Sequence, residues 1–145
     1  MLKSMKSAMR ILRWIRGKFL TKTFLKFAIV GGSGVIVNML VFLILTNYTS
    51  IHHLIASAIA TETAILNNFT WNHLWTFRRR GKMNILVRIA AFHASRVLGL
   101  IVTVAGLYVL SDLLGLPMNP SYIVAIGLGV IANFLTSDLF VWPES

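Results

Sequence analysis

The sequence contains no cysteine, and only four of its 145 residues are acidic. Without thiols the chain can form no disulfide, no thiolate metal site and no cysteine nucleophile. Charged residues make up 12% of the chain, whereas soluble domains carry about 25%. No Lys or Arg follows Arg96. Such a chain would expose too much apolar surface to be a soluble domain.

Apolar residues are abundant and lie in long runs. They account for 57% of the chain and form four segments, each able to supply the roughly 20 residues that a membrane-spanning helix requires. Strict period-two alternation, which marks barrel strands, is missing. We therefore predict an all-α membrane protein with four transmembrane helices. The segments run from about Phe24 to Leu45, Leu54 to Phe77, Ile85 to Leu114, and Asn119 to Trp142.

The basic residues predict the orientation of these helices. Eight of the fourteen Lys and Arg residues lie between Lys3 and Lys26, and the other six between Arg78 and Arg96. The connections NYTSIHH and GLPMNP contain neither. The positive-inside rule then predicts that both termini and the RRRGK loop face the cytoplasm at the cell membrane. Because the charges border apolar spans rather than cover a solvated face, no nucleic-acid partner is expected.

We predict that residues 1–23 form an arm that precedes the transmembrane domain of residues 24–142. On a helical wheel, Met5, Met9 and Leu12 share one face, and Lys6 and Arg13 lie on the opposite side. This pattern is typical of a basic amphipathic helix on the anionic inner leaflet. The alternative is a disordered basic tail that only fixes the topology.

The sequence also contains two similar segments, which align with each other when the chain is compared with itself at an offset of 65 residues. Asn68 then falls on Asn133, Gly34 on Gly99, and Phe77 on Trp142. Each copy holds two helices and returns to the same side of the membrane, so we predict two parallel two-helix repeats over about 24–77 and 89–142. Chance similarity between apolar helices is the alternative.

Small residues recur every four positions in three of the segments, a spacing that lets helices approach closely in lipid. We interpret these rows as packing surfaces. The rows are Ala56, Ala60 and Ala64; Ala91, Ser95, Gly99 and Thr103; and Ala125 and Gly129.

Several polar residues lie within or beside the predicted spans. Glu62 and Arg96 have similar predicted depths, so they could form a structural ion pair, or Arg96 could bind an anionic headgroup while Glu62 holds sugar hydroxyls. The asparagines are numerous enough to suggest a hydrated, polar cavity. Arginines at the cytoplasmic ends could bind a lipid phosphate or simply fix topology. The candidate binding residues are Glu62, Asn68, Asn72, Arg78, Arg79, Arg88, Arg96 and Asn133.

Two stretches, FLKFAIVGGSG and TETAILNNFTWNHLWTF, make the chain similar to the GtrA-like family of small four-helix membrane proteins. The resemblance covers about Phe24 to Trp142. It implies binding and translocation, or flipping, of polyprenyl-phosphate-linked monosaccharides for cell-surface polysaccharide or glycoconjugate synthesis. It also implies basic groups for the phosphate, amides and aromatic rings for the sugar, and apolar helix faces for the prenyl tail.

Three hypotheses follow. The first is a flippase for such a lipid, acting as a homo-oligomer because four helices form a small pathway. The second is a non-transporting membrane anchor for a cytoplasmic polyprenyl-phosphate glycosyltransferase. The third is a small proton-coupled cation or drug antiporter that uses Glu62. No motif for a metal, a cofactor or enzyme catalysis is present in the sequence, so we expect a protein that is not an enzyme.

Overall fold

A computed structural model of the chain describes residues 9–10, 13–14, 16–78 and 80–144. Across these residues every regular element is helical, which confirms the all-α prediction. Three of the helices end in a π-helical turn. The α-helices are α1 (Lys22–Tyr48), α2 (His53–Trp71), α3 (Ile85–Leu107) and α4 (Met118–Thr136), and the π-helical turns are Asn72–Thr76, Tyr108–Leu113 and Ser137–Val141.

The predicted amphipathic arm can be judged only in part. Residues 16–19 are helical. Residues 1–8, 11, 12 and 15 lie outside the described residues, so the arm stays a prediction.

Polar side chains fix where three of the helices begin. The Thr21 Oγ1 atom accepts a hydrogen bond from the Phe24 N–H at 3.2 Å. His52 Nδ1 accepts one from the Leu54 N–H at 3.3 Å, and Asn84 Oδ1 accepts one from the Leu86 N–H at 2.9 Å. Each contact satisfies a backbone donor that has no partner within the helix.

Three helical segments are long and apolar enough to cross a membrane: Lys22–Tyr48, Ile85–Leu113 and Met118–Val141. The first has 27 residues, or about 40 Å at 1.5 Å per residue, against a hydrocarbon core of about 30 Å. These segments confirm a membrane protein. The α2 helix has 19 residues and carries Glu62, Asn67 and Asn68, so it is less apolar. Its crossing of the membrane stays a prediction.

The chain divides into two compact units at the bond between Thr76 and Phe77. In the first unit, α1 packs along α2. Gly34 of α1 is buried, and a methyl group placed on it would overlap the side-chain amide of Asn68 on α2. The predicted row of Ala56, Ala60 and Ala64 is buried as well.

The second unit repeats this arrangement. There α3 packs along α4, and a methyl group on Gly99 would overlap the amide of Asn133. A methyl group placed on Gly129 of α4 would likewise overlap the Thr103 hydroxyl of α3. The glycine–asparagine contact and the π-helical turn that follows it therefore recur after the same 65-residue shift that the sequence shows.

We predict that Gly34→Ala destabilises the protein by about 1–3 kcal/mol, the usual cost of inserting a methyl group into a closely packed contact. Gly32→Ala is the matched control, because no described side chain lies within 4 Å of a methyl group placed there. The free energy of unfolding, measured by SDS titration in mixed micelles, checks this. Equal effects of the two variants would contradict the packing role of Gly34.

Candidate functional site

A groove of about 570 Å³ lies between the two helices of the first unit. Ile29, Val30 and Ser33 of α1 form one wall. The opposite wall consists of Trp71, Leu74 and Trp75, from the end of α2 and the π-helical turn that follows. This turn widens the helix at the point where the two tryptophans are presented, and such distortions are frequent at functional sites.

A positive charge borders this groove. The ammonium group of Lys26, one turn before Val30 on α1, lies 5.0 Å from the centre of the Trp75 ring. That distance is within the range of a cation–π contact. The cation is thus held beside an apolar surface that also carries two indole rings, a combination suited to an amphiphile with an anionic group.

Two polar pairs cross between α1 and α2. The Asn67 Nδ2 group donates to the Ser33 Oγ atom at 3.3 Å, and Ser33 lines the groove just described. Further along, the Asn38 Nδ2 group donates to Thr61 Oγ1, also at 3.3 Å. This second pair lines a smaller groove of about 270 Å³, which Gly34 and Asn68 also border.

The predicted asparagines take different positions. Asn68 and Asn133 are half-buried against their partner glycines. Asn72 is 1% exposed and lies in the π-helical turn after α2. Among the described residues, the side-chain oxygens of Asn72, Asn133 and Thr76 have no hydrogen-bond partner. An unsatisfied buried polar group is costly, so a new hydrogen bond to any of these three oxygens would be favourable.

The predicted phosphate-binding arginines also differ from one another. Arg78 is exposed, and Arg79 lies outside the described residues. Arg88 is 3% exposed, and its guanidinium donates to the carbonyls of Gly81 at 2.9 Å and Met83 at 3.2 Å. Arg88 therefore holds the RRRGK loop in shape through one nitrogen of its guanidinium, and its contact with a phosphate stays a prediction.

Glu62 and Arg96 belong to different units. Glu62 is exposed on α2. Arg96, on α3, places its guanidinium 4.1 Å from the centre of the Phe92 ring. Their proposed pairing stays a prediction.

A buried carboxylate, Asp138, was not among the candidates drawn from the sequence. The Asp138 side chain is 2% exposed and pairs with Arg80 at 2.5 Å. Arg80 also contacts the exposed Glu144 at 2.7 Å. The ion pair links the loop after the first unit to the π-helical turn that follows α4.

Three aromatic rings pack against one another inside the second unit. Phe77 and Trp142 are buried and stack at 4.8 Å, and the edge of Phe92 meets Trp142 at 5.5 Å. Trp71 and Trp75 at the end of α2 are exposed instead and can contact a lipid or ligand.

Five residues in or beside the groove were not among the candidates drawn from the sequence: Lys26, Ser33, Asn67, Trp71 and Trp75. One signal was available: Trp71 and Trp75, four positions apart, share a helix face. Among the described residues, no three His, Asp or Glu side chains are grouped to hold a metal ion.

Comparison with known proteins defines the family. The family model of the GtrA/DPMS transmembrane domain matches residues 26–142. The chain belongs to this family, which confirms the resemblance seen in the sequence.

One relative is a dolichol-phosphate mannosyltransferase from Pyrococcus furiosus, 36% identical over 109 residues. The match covers 75% of this chain but 29% of the relative. The chain thus spans less than a third of that protein's length.

We predict that Asp138→Ala lowers the free energy of unfolding by about 3 kcal/mol, since it leaves a partly buried guanidinium without its closest carboxylate. Glu144→Ala is the control and should cost less than about 1 kcal/mol, because Glu144 is exposed. Denaturant unfolding in detergent measures both. Equal losses of unfolding free energy would show that the buried Arg80–Asp138 pair is no more stabilising than the exposed Arg80–Glu144 pair.

Proposed function

We propose that this protein binds a polyprenyl-phosphate-linked monosaccharide and moves its headgroup across the membrane. The groove of the first unit carries the proposal. It combines a cation, two exposed indole rings and an apolar wall within one helix pair.

Each part of such a lipid meets suitable chemistry. The prenyl chain is apolar and fits the wall formed by Ile29, Val30 and Leu74. The phosphate is anionic and fits Lys26, which can form a charge-assisted hydrogen bond to it. The sugar has apolar ring faces and hydroxyl groups, which fit the indole faces of Trp71 and Trp75. Membership in the GtrA/DPMS family supports the assignment, as does a relative whose name links it to a dolichol phosphate and mannose.

The predicted contacts of the other polar residues are part of this proposal. Arg78, Arg79 or Arg88 would attract the phosphate at the headgroup level. The remaining predicted residues would hydrogen-bond the headgroup during its passage. They are Glu62, Asn68, Asn72, Arg96 and Asn133.

The proposed membrane arrangement has four spans, formed by two parallel two-helix repeats. The distribution of Lys and Arg supports cytoplasmic termini and a cytoplasmic RRRGK loop. Lys26, near the start of α1, would then lie close to the cytoplasmic leaflet, with Trp75 beside it. We further propose residence in the cell membrane, assembly into a homo-oligomer and no catalytic activity.

Purified protein in liposomes tests translocation. The liposomes contain a polyprenyl-phosphate hexose, and added periodate oxidises only those sugar diols that face outward. We expect the protein to expose the inner-leaflet share of the sugar to oxidation. Protein-free liposomes should expose the outer-leaflet share alone, and the same result with protein would overturn the proposal.

Removal of the groove cation tests the phosphate contact. We predict that Lys26→Gln weakens binding of a short-chain polyprenyl phosphate by at least about tenfold, because a hydrogen bond to a charged group contributes about 1.5–3 kcal/mol. Quenching of tryptophan fluorescence measures the affinity. Lys22→Gln, on the same helix and exposed, is the control and should bind nearly as well as the unaltered protein. Equal weakening by both changes would point to general surface charge rather than a phosphate site.

A membrane anchor for a glycosyltransferase is the second candidate. One observation favours it: the chain corresponds to 29% of a longer mannosyltransferase. A separate enzyme would then dock on this protein. Co-purification with a glycosyltransferase, together with unchanged product formation after Glu62→Ala and Arg96→Ala, would support the anchor. Failure to co-purify would argue against it.

A further inference from the structure

The two units share their helix contact but not all of their polar side chains. Gly34 and Asn68 meet in the first unit, and Gly99 and Asn133, 65 positions later, meet in the second. This contact is therefore sufficiently explained by helix packing. Polar groups that occur in one unit alone need another explanation.

Both cross-helix polar pairs of the first unit lack an equivalent in the second unit. The positions that correspond to Ser33 and Asn67 are Leu98 and Ala132, which have no polar side-chain atom. Thr61 corresponds to Ile126. Asn38 corresponds to Thr103, whose hydroxyl donates to the Gly99 carbonyl of its own helix at 2.9 Å. A two-helix unit of this kind can thus pack without either pair.

The second unit also differs where the first has its groove. Val30 and Trp71 line the groove, and their counterparts are Ser95 and Thr136. These two hydroxyls bond to each other at 2.6 Å across α3 and α4. In the second unit, Ser95 and Thr136 are thus used in a bond between the two helices. In the first unit, Val30 and Trp71 line a groove instead.

The two polar pairs of the first unit face open space and are weakly engaged. Ser33 Oγ donates to the Val30 carbonyl at 2.7 Å and accepts from Asn67 at 3.3 Å. The Asn38–Thr61 bond is also 3.3 Å long. The two pairs belong to different grooves: Ser33 lines the groove with the two tryptophans, whereas Asn38 and Thr61 line the smaller one. Only the Ser33–Asn67 pair therefore lies beside the indole rings.

We propose that the Ser33–Asn67 pair binds hydroxyls of the sugar headgroup and confines sugar recognition to the first unit. A hydroxyl both donates and accepts hydrogen bonds, so it can replace the long Ser33–Asn67 bond with bonds to the amide and hydroxyl side chains. A site that hydrogen-bonds substrate hydroxyls discriminates against a ligand that lacks them. The inference depends on the proposed function, since it names the part of the same lipid that these residues recognise.

The duplicated sequence supplies the test. The variant Ser33→Leu/Asn67→Ala introduces the residues that the second unit already holds at the equivalent positions. Binding is measured for a short-chain polyprenyl phosphate and for the same lipid carrying a hexose. We expect the unaltered protein to prefer the hexose lipid, and the variant to lose that preference by roughly fivefold to tenfold, as for one or two hydrogen bonds. Affinity for the bare phosphate lipid should stay within about twofold, because Lys26 is unchanged.

The reverse change, Leu98→Ser/Ala132→Asn, is the matched control and should leave the preference intact. Should the double variant fail to fold, Ser33→Ala removes the hydroxyl alone and must reduce the preference in the same direction. A retained preference in the first-unit variants, or an equal loss in the control, would overturn the inference. Equal binding of the two lipids by the unaltered protein would overturn sugar recognition and leave phosphate-lipid binding in place. Binding of neither lipid would overturn the proposed function as well.

Discussion

The contact between a glycine on one helix and an asparagine amide on its neighbour is the constraint on which both units depend. In lipid no hydrophobic effect drives helices together, so association relies on close packing and interhelical hydrogen bonds. At Gly34 and at Gly99 the neighbouring amide occupies the space that any larger side chain would need. Because the two helices of each unit approach so closely, small residues such as Ala60 and Ala125 are fully buried.

This shared contact leaves room for the two units to differ in function. In the first unit the π-helical turn after α2 presents Trp71 and Trp75 beside Lys26, with polar pairs further along the same helices. In the second unit the corresponding region is closed by the Ser95–Thr136 bond, while Asp138 binds Arg80. One unit therefore offers a groove with hydrogen-bonding groups, and the other holds the connecting loop. The two helix pairs thus share a packing contact and differ in the polar groups around it.

The length of the apolar runs predicted the helical class, and the four-residue spacing predicted the small-residue rows, because each depends on one helix alone. The 65-residue shift matched Gly34 with Gly99 and Asn68 with Asn133, but it did not predict that each glycine contacts its asparagine. Contacts between distant segments were not predictable in this way. The partner of Arg80 is 58 positions away at Asp138, and an acidic residue near a helix end carries no local sign of its partner. The role of Arg88 follows from loop carbonyls that a residue pattern does not show. Lys26 was counted as one of eight N-terminal charges, and only the α1–α2 contact places it over Trp75.

The central claim is that the first unit receives the sugar headgroup of a polyprenyl-phosphate lipid. Photo-crosslinking tests it most directly, with a polyprenyl-phosphate hexose that carries a photoreactive group on the sugar, bound to the protein in liposomes and mapped by mass spectrometry of the peptides. We expect the crosslinks to concentrate on α1 and α2, near Ser33, Asn67 and Trp71. Crosslinks concentrated on α3 and α4, or spread evenly over all four helices, would contradict it.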